Sequence, residues 1–151
     1  MNNTTQSREY LIALSAALLG IIVAIFLPPK DIYFFSNFMW YWLPQLGIII
    51  LLLILKASPS TIGGAAFVLA LYPLAYYTWV MHHKDGEGLV WLGYLFSLPG
   101  GVLGSFVALA YLKYKIHKNY LVITGMSALF TFFGLLINQI IVCKTVMYCG
   151  F

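Results

Sequence analysis

Charge is what this sequence has least of. Only 8% of its 151 residues are charged, eight basic and four acidic, while 62% are hydrophobic and the mean hydropathy is +0.93. Soluble domains carry about a quarter charged residues. Twelve charged side chains do not cover a soluble domain of this length, so an ordinary soluble globule is excluded. A disordered chain, which needs high charge and few apolar residues, is excluded as well. The solvent for most of this surface is lipid.

Ionisable residues are not merely scarce but absent from long stretches. Residues 10–27, 38–55, 61–81, 89–112 and 121–143 contain no Asp, Glu, Lys, Arg or His. A bilayer core of about 30 Å needs roughly 20 apolar residues per helix, so each stretch is of spanning length. Only helices or closed barrels satisfy the backbone in lipid. Aliphatic runs such as 46–55 lack the alternation of barrel strands. The sequence therefore predicts an all-α fold: one polytopic transmembrane domain over residues 1–151, with five helices. The fourth stretch contains Pro99-Gly100-Gly101. Four helices, with 89–112 partly re-entrant, is the alternative reading.

The missing intramembrane charges also bear on mechanism. Proton relays and ion paths usually carry a buried Asp, Glu or His, and secondary transporters tend to show paired repeats. Neither pattern is present, so no catalytic residue, metal or cofactor is expected. His82-His83 with Asp85 and Glu87 is the nearest approach to a metal set, but its Lys84, Gly86 and Gly88 read as a turn-containing loop. Nucleophile–base motifs and phosphate loops are absent. The polar leader 1–9 and Pro28-Pro29 after the first run argue against a cleaved signal.

Lys and Arg bias toward the cytoplasm sets orientation. Arg8, Lys56, Lys113, Lys115 and Lys118 fall on one side of a five-span chain, and Lys30, Lys84 and Lys144 on the other. This predicts a cytoplasmic N-terminus and an outside C-terminus; the bacterial inner membrane is the location expected from the build of the chain. Trp40, Trp42, Tyr76, Tyr77, Trp79, Trp91 and Tyr94 then form an outer aromatic belt. The Asn-x-Thr sequons at Asn2 and Asn3 lie on the cytoplasmic tail and are incidental. The basic connector around Lys113–Lys118 fits contact with anionic membrane lipids, and no soluble basic surface exists for nucleic acid.

What the spans do contain is small and polar residues. Ser97, Gly101 and Ser105 are spaced by four, as are Gly100, Gly104 and Ala108. Such rows allow close approach of another helix, either within the bundle or from an outside partner. Gln45 follows Pro44 and is placed to cap a carbonyl freed by the proline. Asn138 and Gln139 point about 100° apart on a helix, so they face different neighbours. Ser127 and Thr131 complete the polar set in the last span. Two cysteines remain, Cys143 and Cys149. On one continuous helix they would be about 9 Å apart along the axis, beyond the roughly 4.4–6.8 Å of a disulfide. A bridge between them therefore requires the helix to end near Cys143.

A chain with this build is expected to be a non-catalytic membrane binding protein. The most specific form of that expectation is an immunity protein that neutralises a membrane-acting bacterial toxin. Its partner is then a toxin or complex subunit inserted in the same membrane. An accessory subunit, or a homo-oligomeric channel or transporter lined by Ser97, Ser105, Thr131, Asn138 and Gln139, is the alternative. Thiol redox chemistry is the weakest reading, because the chain lacks Cys-x-x-Cys.

Overall fold

The structure, a computed structural model, describes residues 3–82, 90–114 and 119–146. Among these residues it is all-helical, with α1 (Asn3–Phe26), α2 (Phe34–Ile54), α3 (Pro59–His82), α4 (Val90–Tyr114) and α5 (Tyr120–Thr145). All five are long and apolar enough to cross a membrane, consistent with a multi-pass membrane protein.

The helix ends follow from local chemistry. Pro28 and Pro29 lack the N–H that would continue α1. Asn119 caps α5, its Oδ1 accepting from the Leu121 N–H at 3.0 Å, which satisfies one of the orphan donors of the first turn. Ser58 does the same for α3, accepting from the Thr61 N–H at 3.3 Å. At the end of α2 the Ala57 N–H reaches Leu52 O at 3.0 Å and the Lys56 N–H reaches Leu53 O at 2.9 Å. This pair of bonds is a Schellman closure, and it puts Lys56 at φ 55°, in the left-handed region where a Cβ is disfavoured. Lys56→Gly should therefore stabilise the bundle by about 1 kcal/mol and Lys56→Val should destabilise it by a similar amount. Unfolding in mixed micelles reads both.

Helix α4 is one continuous helix through Pro99, so the five-span reading holds over the four-span alternative. Pro44 and Pro73 likewise lie inside α2 and α3. Proline is tolerated in such helices because neighbouring helices and polar side chains re-satisfy the freed backbone.

Helix α3 is the hub, packing against all four others, and α4–α5 and α1–α3 are the most extensive pairs. Glycine sets both. A Cβ on Gly63 would lie 2.9 Å from Ile12 Cγ2 and 3.2 Å from the Ala13 backbone. A Cβ on Gly134 would strike the Gly100 carbonyl oxygen, and one on Gly104 would strike that of Phe130. Without a hydrophobic force between helices in lipid, such backbone-to-backbone packing is the main source of association. Paired contacts give direction: Gly63–Ala13 with Gly20–Ala70 runs α1 parallel to α3, and Gly100–Gly134 with Gly104–Phe130 runs α4 antiparallel to α5. The core lies where Ile48 and Leu52 of α2, Ala65 and Leu69 of α3, Leu98 of α4 and Leu135 of α5 meet.

One boundary differs from the sequence reading. Helix α1 begins at Asn3 and takes in the polar leader, and Glu9 is buried within the bundle. It lies on the same stripe as buried Ala16 and Val23, spaced seven apart, and this stripe faces α3. The Gly63–Ala13 and Gly20–Ala70 contacts carry Glu9 to the level of Pro59, where the N-terminus of α3 offers positive potential to a carboxylate. The charge-free first span is thus extended at its start by one covered acid. Nearby, the hydroxyl of Ser60 is buried with no hydrogen-bond partner.

Candidate functional site

A polar seam runs the length of the α3–α4–α5 junction. Near the N-terminal end of α3, the Ser127 hydroxyl donates to Thr61 O at 2.7 Å. Further along, Ser105 Oγ and Thr131 Oγ1 are 3.1 Å apart, and Ser105 also donates to Gly101 O at 2.8 Å. Toward the far end the Tyr72 hydroxyl stands between two side chains. It donates to Gln139 Oε1 at 2.8 Å and is hydrogen-bonded with Ser97. With the Tyr72 proton on Gln139, the Ser97 hydroxyl supplies the proton of the Tyr72–Ser97 bond, and Tyr94 O, 2.7 Å from Ser97 Oγ, is its alternative acceptor. Gln139 Nε2 extends the chain to Cys143 Sγ at 3.4 Å.

Most of these groups are enclosed. Ser97, Ser105, Ser127 and Thr131 are buried, and so are Gln45 and Thr61. In lipid a buried polar group must find its partner inside the protein. The Ser and Thr residues do so in part by bonding carbonyls within their own helix. The seam joins helices through bonds between their side chains and backbone.

Beside the seam, Tyr41, Tyr72, Tyr76 and Tyr94 form a ring cluster. Tyr72 stacks on Tyr94 with centroids 5.7 Å apart, and Tyr41 tilts against Tyr94 at 5.7 Å. Offset and tilted pairs of this kind add packing energy beyond area. Gln45 closes the cluster from α2, its Nε2 donating to Tyr41 O at 3.1 Å. The carbonyl that Pro44 frees belongs to Trp40, so Gln45 caps the neighbouring carbonyl and not the freed one. Its Oε1 lies against Gly20, where an added Cβ would approach to 2.7 Å. Gln45 is therefore glue between α1, α2 and the tyrosines.

The two small-residue rows of α4 do not form one outward face. Ser97, Gly101, Ser105 and Ala108 are all buried in the bundle. Gly101 packs on Leu135 and Leu69, its added Cβ falling 3.0 Å from Leu135 Cδ2. Gly100 and Gly104 are buried against the backbone of α5. An outside helix thus finds this face already filled, chiefly by α5 of the same chain. The correction has a physical reason: α5 carries its own small residue, Gly134, at the matching level, so the closest partner for α4 is internal.

A groove of about 310 Å³ runs along the outer lip of the α4–α5 contact. Its floor is Gly100, Gly104 and Gly134, and its walls include Leu103, Val107, Phe133 and Ile137. Leu103 and Ile137 are 63% and 58% exposed, so the walls face lipid and not the core. Asn138 lines the same groove. Its Nδ2 donates to Phe96 O at 2.6 Å, tying α5 to α4 beside the Pro99 break. Its Oδ1 and its second Nδ2 proton have no partner among the described residues. The expected divergence of Asn138 and Gln139 is realised, with Asn138 turned to α4 and the groove and Gln139 turned to α3.

Tyr72 was not legible as a functional side chain in the sequence, and neither was Gly134. Nothing in the sequence singles Tyr72 out from the other tyrosines. Gly134 stands in a run of aromatic and aliphatic residues, and only its spacing of four from Asn138 hinted at a shared face.

Cys143 is disulfide-bonded, and α5 ends at Thr145, two residues beyond it. The chain has one other cysteine, Cys149, which lies outside the described residues. So do His83, Asp85 and Glu87 of the histidine loop, and Lys115 and Lys118 of the basic connector. Comparison of the chain with protein-family models, with curated proteins and with solved structures finds no match in any of the three.

Proposed function

We propose that the protein is a non-catalytic integral membrane binding protein that recognises another membrane-embedded component through the α4–α5 groove. One observation carries the reading. Asn138 is a half-used amide on an apolar, lipid-facing wall, whereas Ser97, Ser105, Ser127 and Thr131 of α4 and α5 are buried and bonded inside the bundle. An amide left open to hydrocarbon is costly, and a docked helix that meets it recovers the missing bonds.

In its most specific form the activity is immunity: the chain holds a membrane-acting toxin within the bacterial inner membrane and so keeps it from assembling. Accessory-subunit docking uses the same surface. The permeation reading is less favoured, because Ser97, Ser105 and Thr131, which were to line a path, bond to one another or to neighbouring helices. The proposed orientation, N-terminus cytoplasmic and C-terminus outside, rests on the lysine distribution.

The test is purification of the tagged full chain from its native membrane in mild detergent, followed by mass determination of the intact assembly. A stoichiometric second membrane protein that disappears with Leu103→Trp, a groove-filling change on an exposed side chain, is the expected result. A chain that carries no other membrane protein, or one whose cargo is indifferent to Leu103→Trp, would overturn the heterologous form of the reading.

A further inference from the structure

The open valences of Asn138 say more about the occupant of the groove than that it is apolar. The amide has an acceptor oxygen and one donor proton left over, side by side on a planar group. A partner must therefore offer a donor and an acceptor together, at the depth of Asn138 in the bilayer. Asn138 of a second copy meets both conditions. Two copies of a chain inserted with the same topology are related by a two-fold axis along the membrane normal, which places any residue and its symmetry mate at equal depth. Close to that axis a residue meets its own copy. Two facing asparagines then exchange two hydrogen bonds, Nδ2–H to Oδ1 in each direction.

The surroundings suit such a pairing. Asn138 sits beside Ile137 and Gly134 at the groove edge, and Phe133, Ile137 and Ile141 project from the same side of α5, each about half exposed. Ridges of this kind from one copy can enter the groove over Gly100 and Gly104 of the other. The volume of about 310 Å³ accommodates a few side chains and not a whole helix, which fits interdigitation of two like surfaces. A lipid chain would fill the groove equally well but would leave the amide unsatisfied.

We infer that the α4–α5 groove is a self-association surface, at which a second copy of this chain docks with Asn138 paired across a two-fold axis. The inference rests on the groove being a docking site, as proposed above, and commits that site to one occupant.

The experiment uses the purified full chain, labelled at its N-terminus and reconstituted into phosphatidylcholine–phosphatidylglycerol vesicles. Single-molecule photobleaching across a range of protein-to-lipid ratios reads the dimer fraction. The wild type is expected to bleach in two steps with a concentration-dependent dimer fraction. Asn138→Leu should weaken association by about tenfold or more, since it removes two interhelical hydrogen bonds per dimer. Because Asn138→Leu also loses the bond to Phe96, Leu103→Trp serves as the second variant: its side chain is lipid-exposed and fills the groove without touching that bond. Phe67→Trp, on an exposed face of α3, should leave the dimer fraction unchanged. Single-step bleaching at every ratio overturns the inference, and so does a dimer that both groove variants leave intact. A monomer in vesicles that nevertheless binds another protein from native membranes, with loss on Leu103→Trp, would remove the second copy while keeping the docking reading. An Asn138-dependent dimer that carries no other protein supports the inference and overturns only the heterologous form of the docking reading.

Discussion

Gly134→Ala should destabilise the bundle by about 1–3 kcal/mol, the range found for overpacking a well-filled interior, and Gly134→Leu by more. The added Cβ would meet the carbonyl oxygen of Gly100, and it would lie 2.9 Å from Gly104 Cα. Those atoms are backbone, so no rotamer change relieves the contact, and the two helices must move apart along their length. The loss is then not local. Separation of α4 from α5 stretches the Asn138–Phe96 and Ser105–Thr131 bonds, which span the same interface. Gly104→Leu should behave the same way, since its Cβ strikes Phe130 O. Substitutions on this row therefore test folding and not partner binding, as a small-residue face read from the sequence alone would have suggested. Gly47 and Gly125 supply the control. Nothing lies within 4 Å of a Cβ built at either, so Gly→Ala there should be neutral or stabilising by up to about 1 kcal/mol, the difference in helix propensity. Reversible unfolding in mixed micelles separates the two classes. Equal tolerance at Gly134 and Gly125 would show that the α4–α5 contact is not as close as described.

Tyr72→Phe should cost about 1–2 kcal/mol, near the upper end for interhelical bonds in membranes. Most such bonds are worth less because the partners find substitutes. Here substitutes are scarce. The hydroxyl serves Ser97 on α4 and Gln139 on α5 at once, and its removal leaves Gln139 Oε1 without that donor. Ser97 is less affected, because it retains Tyr94 O and Gly93 O. A double-mutant cycle should thus show strong coupling of Tyr72→Phe to Gln139→Leu and weak coupling to Ser97→Ala. Additive effects of Tyr72→Phe and Gln139→Leu would remove Tyr72 as the tie between α3 and α5.

The elements themselves follow from composition and spacing. A run without charge and of spanning length has one stable form in lipid, because an unpaired backbone group is too costly there. That reasoning places the helices and the interruption of α1 before Pro28-Pro29, whereas the continuity of α4 through Pro99 was one of the two readings it left open. It also separates the directions of Asn138 and Gln139, since adjacent helical residues diverge by a fixed angle.

Which helix each small or polar residue meets was decided only in three dimensions. In water an apolar stripe marks the buried face of a helix. In lipid every face is apolar, so the sequence carries little record of which side of α4 turns inward. The choice fell to shape: Gly134 lets α5 take the place that an outside helix was expected to fill, and Gly64 admits the Thr124–Ala128 stretch of α5 against α3. Tyr72 became a hub through a contact 67 residues away, a separation no local pattern encodes. Glu9 is covered for the same reason, because the stripe it shares with Ala16 and Val23 is recognisable as a buried stripe only once α3 lies along it. The sequence determined that this chain is a five-helix membrane protein, from the free energy of burying backbone in hydrocarbon. The tertiary packing, through close contacts between glycines and backbone, decided which helix meets which, and turned Asn138 to the α4–α5 groove while Ser97, Ser105, Ser127 and Thr131 were enclosed.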